Sequence, residues 1–157
     1  MTMHAVLARA VALVVFAGTA SIGFADMPGP MNPDELKWGP APAKLPAGAQ
    51  LAVLAGDPGG TGPATVRLKF PAGYAIPPHW HPTDEIVTVI SGDFSVGMGD
   101  TVDKKHMKRL KPGGFGIVPA TMHHYAWTKT GAIVQINLMA PFMITYVSPA
   151  DDPTAKK

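Results

Sequence analysis

The stretch Gly73-Tyr74-Ala75-Ile76-Pro77-Pro78-His79-Trp80-His81-Pro82-Thr83-Asp84-Glu85-Ile86-Val87-Thr88-Val89-Ile90-Ser91-Gly92 decides how the chain is read. Side chains alternate along a strand, so His79 and His81 share one face, with Cα atoms roughly 6.6 Å apart. Two imidazoles placed this way converge on one ion. Pro82-Thr83-Asp84 bends the chain, and Glu85 opens a second run in which Glu85, Val87 and Val89 share a face. A carboxylate beside an apolar interior needs a partner. A divalent cation is one, because its charge favours the ionised carboxylate and the neutral imidazole despite burial. His124 is the fourth candidate, on a strand face with the small residues Ala126 and Thr128, and strand parity points His123 the other way.

Working outward, apolar and β-branched runs separated by Gly, Pro, Asp and Asn predict an all-β domain. Strands are expected near 49–55, 64–70, 76–80, 85–90, 93–98, 115–118, 122–128, 132–139 and 143–147. Asn32-Pro33-Asp34-Glu35 offers an N-cap, a proline at the first helical position and an acidic first turn, which predicts one short helical turn in a Pro-rich arm. Asp57 to Pro63 reads as a loop, Ser91-Gly92-Asp93 as a tight turn and Thr128-Lys129-Thr130-Gly131 as a hairpin connection. The polar segment from Pro149 to Lys157 is expected to fray or lie loosely on the surface.

The 157 residues are enough for one hydrophobic core, and 17 Gly with 17 Pro imply many turns. A net charge of +2, with Lys and Arg scattered, excludes the dense basic stripe that phosphate backbones require. The basic cluster Lys104 to Lys111, His106 included, reads as a solvated loop. There is no cysteine, which excludes disulfides, thiolate metal sites, a cysteine nucleophile and a lipidated N-terminal cysteine. Near the N-terminus, Arg9 precedes the apolar run Ala10 to Ala17, and Gly23 and Ala25 suit a cleavage site, which predicts a secretory signal removed after Ala25. Export would place the protein in the periplasm of a Gram-negative source, free of the membrane once cleaved. The expected organisation is a signal peptide (1–25), an N-terminal arm (26–47), the β domain (48–148) and a flexible tail (149–157).

The spacing Gly73, five residues, His79-Trp80-His81, three residues, Glu85, six residues, Gly92 is a complete match to the first motif of the cupin superfamily. Gly113 to His124, with Pro119 midway, resembles the second motif. Thr121 and Thr128 depart from it, standing where glycine and asparagine are usual. The resemblance implies a double-stranded β-helix, or jelly-roll, barrel, with His79, His81, Glu85 and His124 as metal ligands and a homodimer built by sheet pairing.

Three nitrogens and one carboxylate suit a divalent Fe, Mn, Ni, Cu or Zn ion with positions left open for water or substrate. The resulting expectation is a dioxygenase-like, metal-dependent oxidoreductase acting on a small organic molecule, with Glu85 as a detachable base. The alternatives are a periplasmic cupin that binds or senses a metal or small ligand without transforming it, or a metal-dependent lyase or isomerase. Strand parity offers Val87, Ala126, Thr128, Gln135 and Asn137 as lining residues and Trp80, Tyr125 and Trp127 as aromatic walls. Met122, Met139 and Met143 read as core filling.

Overall fold

The computed structural model describes residues 29–155, and the expected signal peptide lies outside them. The chain forms β1 (Gly39–Pro40), β2 (Gln50–Ala55), β3 (Pro63–Phe70), β4 (Ala75–Trp80), β5 (Glu85–Gly92), β6 (Phe94–Met98), β7 (Lys108–Leu110), β8 (Phe115–Val118), β9 (His124–Trp127), β10 (Ala132–Met139) and β11 (Thr145–Tyr146). Two antiparallel sheets result, one in the order β1-β2-β3-β10-β5-β8 and the other β11-β4-β9-β6-β7. This is the expected all-β jelly roll. The short turn at Pro33–Glu35 is also present, capped by Asn32 and Glu35.

Alternation builds the core. On β3, Ala64, Val66, Leu68 and Phe70 are buried, and on β10 Ala132, Val134, Ile136 and Leu138 are. With Val87 and Val89 of β5, these face Ile76, Phe94 and Ala126 from the other sheet in one cluster. The Val, Leu, Ile and Phe side chains among them each contribute about 1.5–3 kcal/mol when fully buried. The Pro-rich arm joins this core through Leu45, while Trp38 receives the Lys69 ammonium 4.3 Å above its ring.

Three local expectations are corrected. Thr128 to Gly131 is not a hairpin, because β9 and β10 belong to different sheets. The segment is a corner between layers, held by buried Asp93, which accepts from the backbone of Thr130 at 3.0 Å and Lys129 at 3.3 Å and from the Thr130 hydroxyl. Two short strands, β1 and β7, escaped notice because a two-residue and a three-residue pairing leave no periodic pattern. Residues 149–155 do lie on the surface, but a Lys44–Asp152 ion pair ties them to the arm.

Gly92 shows how strictly the corners are built. It sits at φ 78°, and a Cβ there would lie 2.0 Å from the Gly131 carbonyl oxygen, so only glycine fits between β5 and β6.

Candidate metal centre

Pro77 and Pro78 cannot donate to a ladder, and the β4–β9 register shifts across them. Ile76 pairs with Ala126, and after the shift His79 stands opposite His124. His81 follows one alternation later on the same face as His79. Glu85 enters from the opposite sheet, at the start of β5 and paired with Leu138 and Val118. The two layers therefore meet at one end of the barrel around four donors, three of them close in sequence and the fourth, His124, brought in from a distant strand.

His79, His81 and His124 are buried and present ring nitrogens all within 4.8 Å of one another. Glu85 Oε2 lies 3.2 Å from His124 Nε2 and 3.5 Å from His81 Nε2, with the Glu85 side chain 13% exposed. Every Nδ1 is committed to a backbone carbonyl: His79 to Pro77 at 2.7 Å, His81 to Met143 at 2.6 Å and His124 to Met122 at 3.0 Å. A carbonyl only accepts, so each Nδ1 carries the hydrogen, and a ring in its neutral form then turns the lone pair of Nε2 to the centre. Backbone carbonyls are common partners of metal-bound histidines, where they fix the tautomer.

The centre is thus rich in acceptors and poor in donors. His81 Nε2 is buried without a hydrogen-bond partner, since its 3.5 Å approach to Glu85 has no hydrogen-bond geometry. Burial, reinforced by the neighbouring His124 and His81, lowers the His79 pKa to about 3, so that ring is neutral at physiological pH. For Glu85, burial opposes ionisation, but the adjacent imidazoles of His124 and His81 outweigh it and hold the carboxyl far below its ordinary range. For His81, burial again disfavours charge, yet Glu85 prevails and raises its pKa. A proton relieves one such contact, whereas a cation among the four donors relieves all of them. The residues fit a metal ion.

The chamber holds a cavity of about 30 Å³, room for at least one water molecule. Apart from the four donors its walls are apolar, including the expected Val87 and Ala126 and the unforeseen Phe142, which stacks on His81 at 5.5 Å. Other lining expectations fail on parity. Gln135 and Asn137 face outward and bond Arg67 at 3.2 Å and Thr65 at 3.0 Å, leaving Val134 and Ile136 inside. Thr128 is buried in the corner, where its hydroxyl accepts from Gly131. Trp80 alternates away from His79 and His81. Tyr125 bonds Asp103 through its hydroxyl, and Trp127 lies under Lys104, so both serve the outer face. Met122, Met139 and Met143 are exposed rather than core filling. His123 points outward to Asp100, as parity predicted, and His106 is on the surface against Asp103.

Residues 66–139 match the family model of the cupin domain. Germin-like protein subfamily 2 member 4 of Arabidopsis thaliana is 32% identical over 65 residues, 41% of this chain and 30% of the relative. The chain spans less than a third of the length of the curated germin-like proteins it matches. Among solved structures, it is similar to the polyketide cyclase RemF from Streptomyces resistomycificus, with a TM-score of 0.66, 16% identity and coverage of 81% of this chain and 90% of that one. It is also similar to an oxalate oxidase, with a TM-score of 0.55, 19% identity and coverage of 82% and 67%. At these identities the structural likeness shows the jelly-roll fold, and the match of residues 66–139 to the cupin domain supports the cupin resemblance read from the motifs.

Proposed function

We propose that His79, His81, His124 and Glu85 hold one divalent transition-metal ion and that the protein is a metal-dependent oxidoreductase acting on a small organic molecule. The observation that carries the reading is the orphaned, buried Nε2 of His81, facing a carboxylate and two further imidazoles whose Nδ1–H groups are already spent. Those donors suit Fe, Mn, Ni, Cu or Zn. A redox-active ion bound there supplies electron transfer or dioxygen activation, and a redox-silent one supplies Lewis acidity.

The chain's own residues then do three things. Their apolar walls exclude water and strengthen every electrostatic contact inside. The small cavity restricts the reacting part of any substrate to a few atoms. Glu85, the slightly exposed member of the set, is placed to take a proton from a bound molecule. The likeness to an oxalate oxidase supports the oxidoreductase reading, as an analogy of fold.

A second reading, a binder or sensor without turnover, is favoured by one observation: among the described residues, no titratable side chain other than the four donors lines the chamber. A lyase or isomerase would use the same donors, and the likeness to a polyketide cyclase supports chemistry of that non-redox kind. Oxygen uptake by the metal-loaded protein, followed with an oxygen electrode across a panel of small organic acids, separates these readings. Uptake that disappears in Glu85→Gln supports the oxidase. Turnover without uptake supports the lyase or isomerase, and metal binding without turnover supports the binder. As with its signal sequence, export to the periplasm is part of the proposal.

A further inference from the structure

A larger cavity lies beside the metal chamber. β7 ends one sheet and β8 ends the other, and between these two edge strands runs a groove of about 330 Å³. That volume reaches the lower range of small-molecule sites. Its walls are apolar and open to solvent: Phe115 is 58% exposed, Met98 54% and Ile117 52%. Large apolar side chains left this exposed together mark a contact site. Gly116 forms part of the wall, and a Cβ built on it meets nothing within 4 Å, so the glycine leaves space that no neighbour claims.

The charge on the groove is one-sided. Among the described residues, Lys108 and His106 are the only charged or titratable ones lining it apart from the Tyr125 phenol, and no carboxylate does. His106 is already engaged by Asp103 at 2.7 Å, and Tyr125 bonds the Asp103 backbone. Among the described residues, Lys108 has no carboxylate within ion-pair distance. An apolar trough with one unspent cation at its rim complements an apolar body bearing a single negative charge.

We infer that the β7–β8 groove is a binding site for a small amphipathic monoanion, such as an aliphatic or aromatic carboxylate. Val87, Val96 and Val118 line both this groove and the metal chamber, so a bound molecule lies against the far side of the chamber wall. The site does not depend on the metal reading.

The test is calorimetric titration of the full-length chain with dodecanoate below its micellar concentration, using the parent, Gly116→Val and Lys108→Glu. Gly116 is in a strand and outside the left-handed region, so valine there is compatible with folding, which thermal melts verify. Saturable binding is expected in the parent, weakened about tenfold by the added valine, in line with the effect of a methylene-scale misfit in an apolar pocket. Lys108→Glu is expected to weaken it about threefold, the scale of an exposed ion pair. Both variants retain the parent's metal content, which keeps this test separate from the metal centre. No dodecanoate binding in the parent, or affinity unchanged within about twofold in both variants, overturns the proposal. So does a parent dimer that Gly116→Val dissociates while dodecanoate never binds, because the groove then serves a second copy of the chain.

Discussion

His79 and His124 are direct partners across the β4–β9 ladder, with ring centroids 4.1 Å apart, and each gives its Nδ1–H to the carbonyl two residues before it. The same local device thus orients both rings. His81 uses a distant carbonyl instead, that of Met143, which draws the segment before β11 into the site. The arrangement gathers three ring nitrogens within 4.8 Å of one another before any ion arrives, and such preorganisation lowers the ordering cost of binding.

Removing the metal is therefore expected to destabilise the folded protein. Ligand bound at a hundred times its dissociation constant contributes about 2.7 kcal/mol. A chelator should lower the melting temperature of protein shown to contain metal, and readdition should restore it. A melting temperature indifferent to verified metal loss would contradict a site shared by both sheets.

Thr121 carries backbone strain that can be relieved. It adopts φ 63° without being glycine, and its β-branched side chain is ill suited to that region. Its amide donates to the His81 carbonyl at 2.8 Å, which fixes the turn leading into His124. Thr121→Gly keeps that turn and should stabilise the protein by about 1 kcal/mol, read as a rise in denaturant midpoint with unchanged m-value. A lower midpoint would show that the threonine side chain makes a contribution larger than the strain.

Asp93 links stability to pH. The Thr130 hydroxyl and the amides of Thr130 and Lys129 hold its pKa below the ordinary carboxylate value, in the order hydroxyl, then amides, with burial opposing. A depressed folded-state pKa gives stability that is present above the unfolded value and lost as pH falls through the folded one. Asp93→Asn should cost about 2 kcal/mol near pH 7. The gap between parent and variant should then close below pH of about 3.9, as the parent aspartate becomes protonated. A constant gap down to acid pH would show that shape rather than charge holds the corner.

The legible parts of this protein are those written in local period and spacing. Alternation placed most strands within a residue or two, and the His79, His81, Glu85 and His124 spacing located the four donors that the fold brings together. Sheet membership was not legible at the Thr128 to Gly131 corner, since a tight turn looks alike whether its strands pair or part. Strand parity failed for Gln135 and Asn137 because polar residues on the half-buried outer face satisfy one another across β3. Phe142 and the orienting carbonyls of Pro77, Met122 and Met143 had no signal. A backbone oxygen belongs to every residue, and its direction exists only in the folded chain.

The most direct test of the central claim is the metal content of the full-length protein, measured by mass spectrometry beside His81→Ala, His124→Ala and Glu85→Gln. About one equivalent of a transition metal is expected in the parent, lost in both alanine variants. In Glu85→Gln the affinity should fall by at least about tenfold, the loss known for even the outer partners of metal ligands. A parent that holds no metal and takes up none on reconstitution, or variants that bind it as tightly as the parent, would contradict the account.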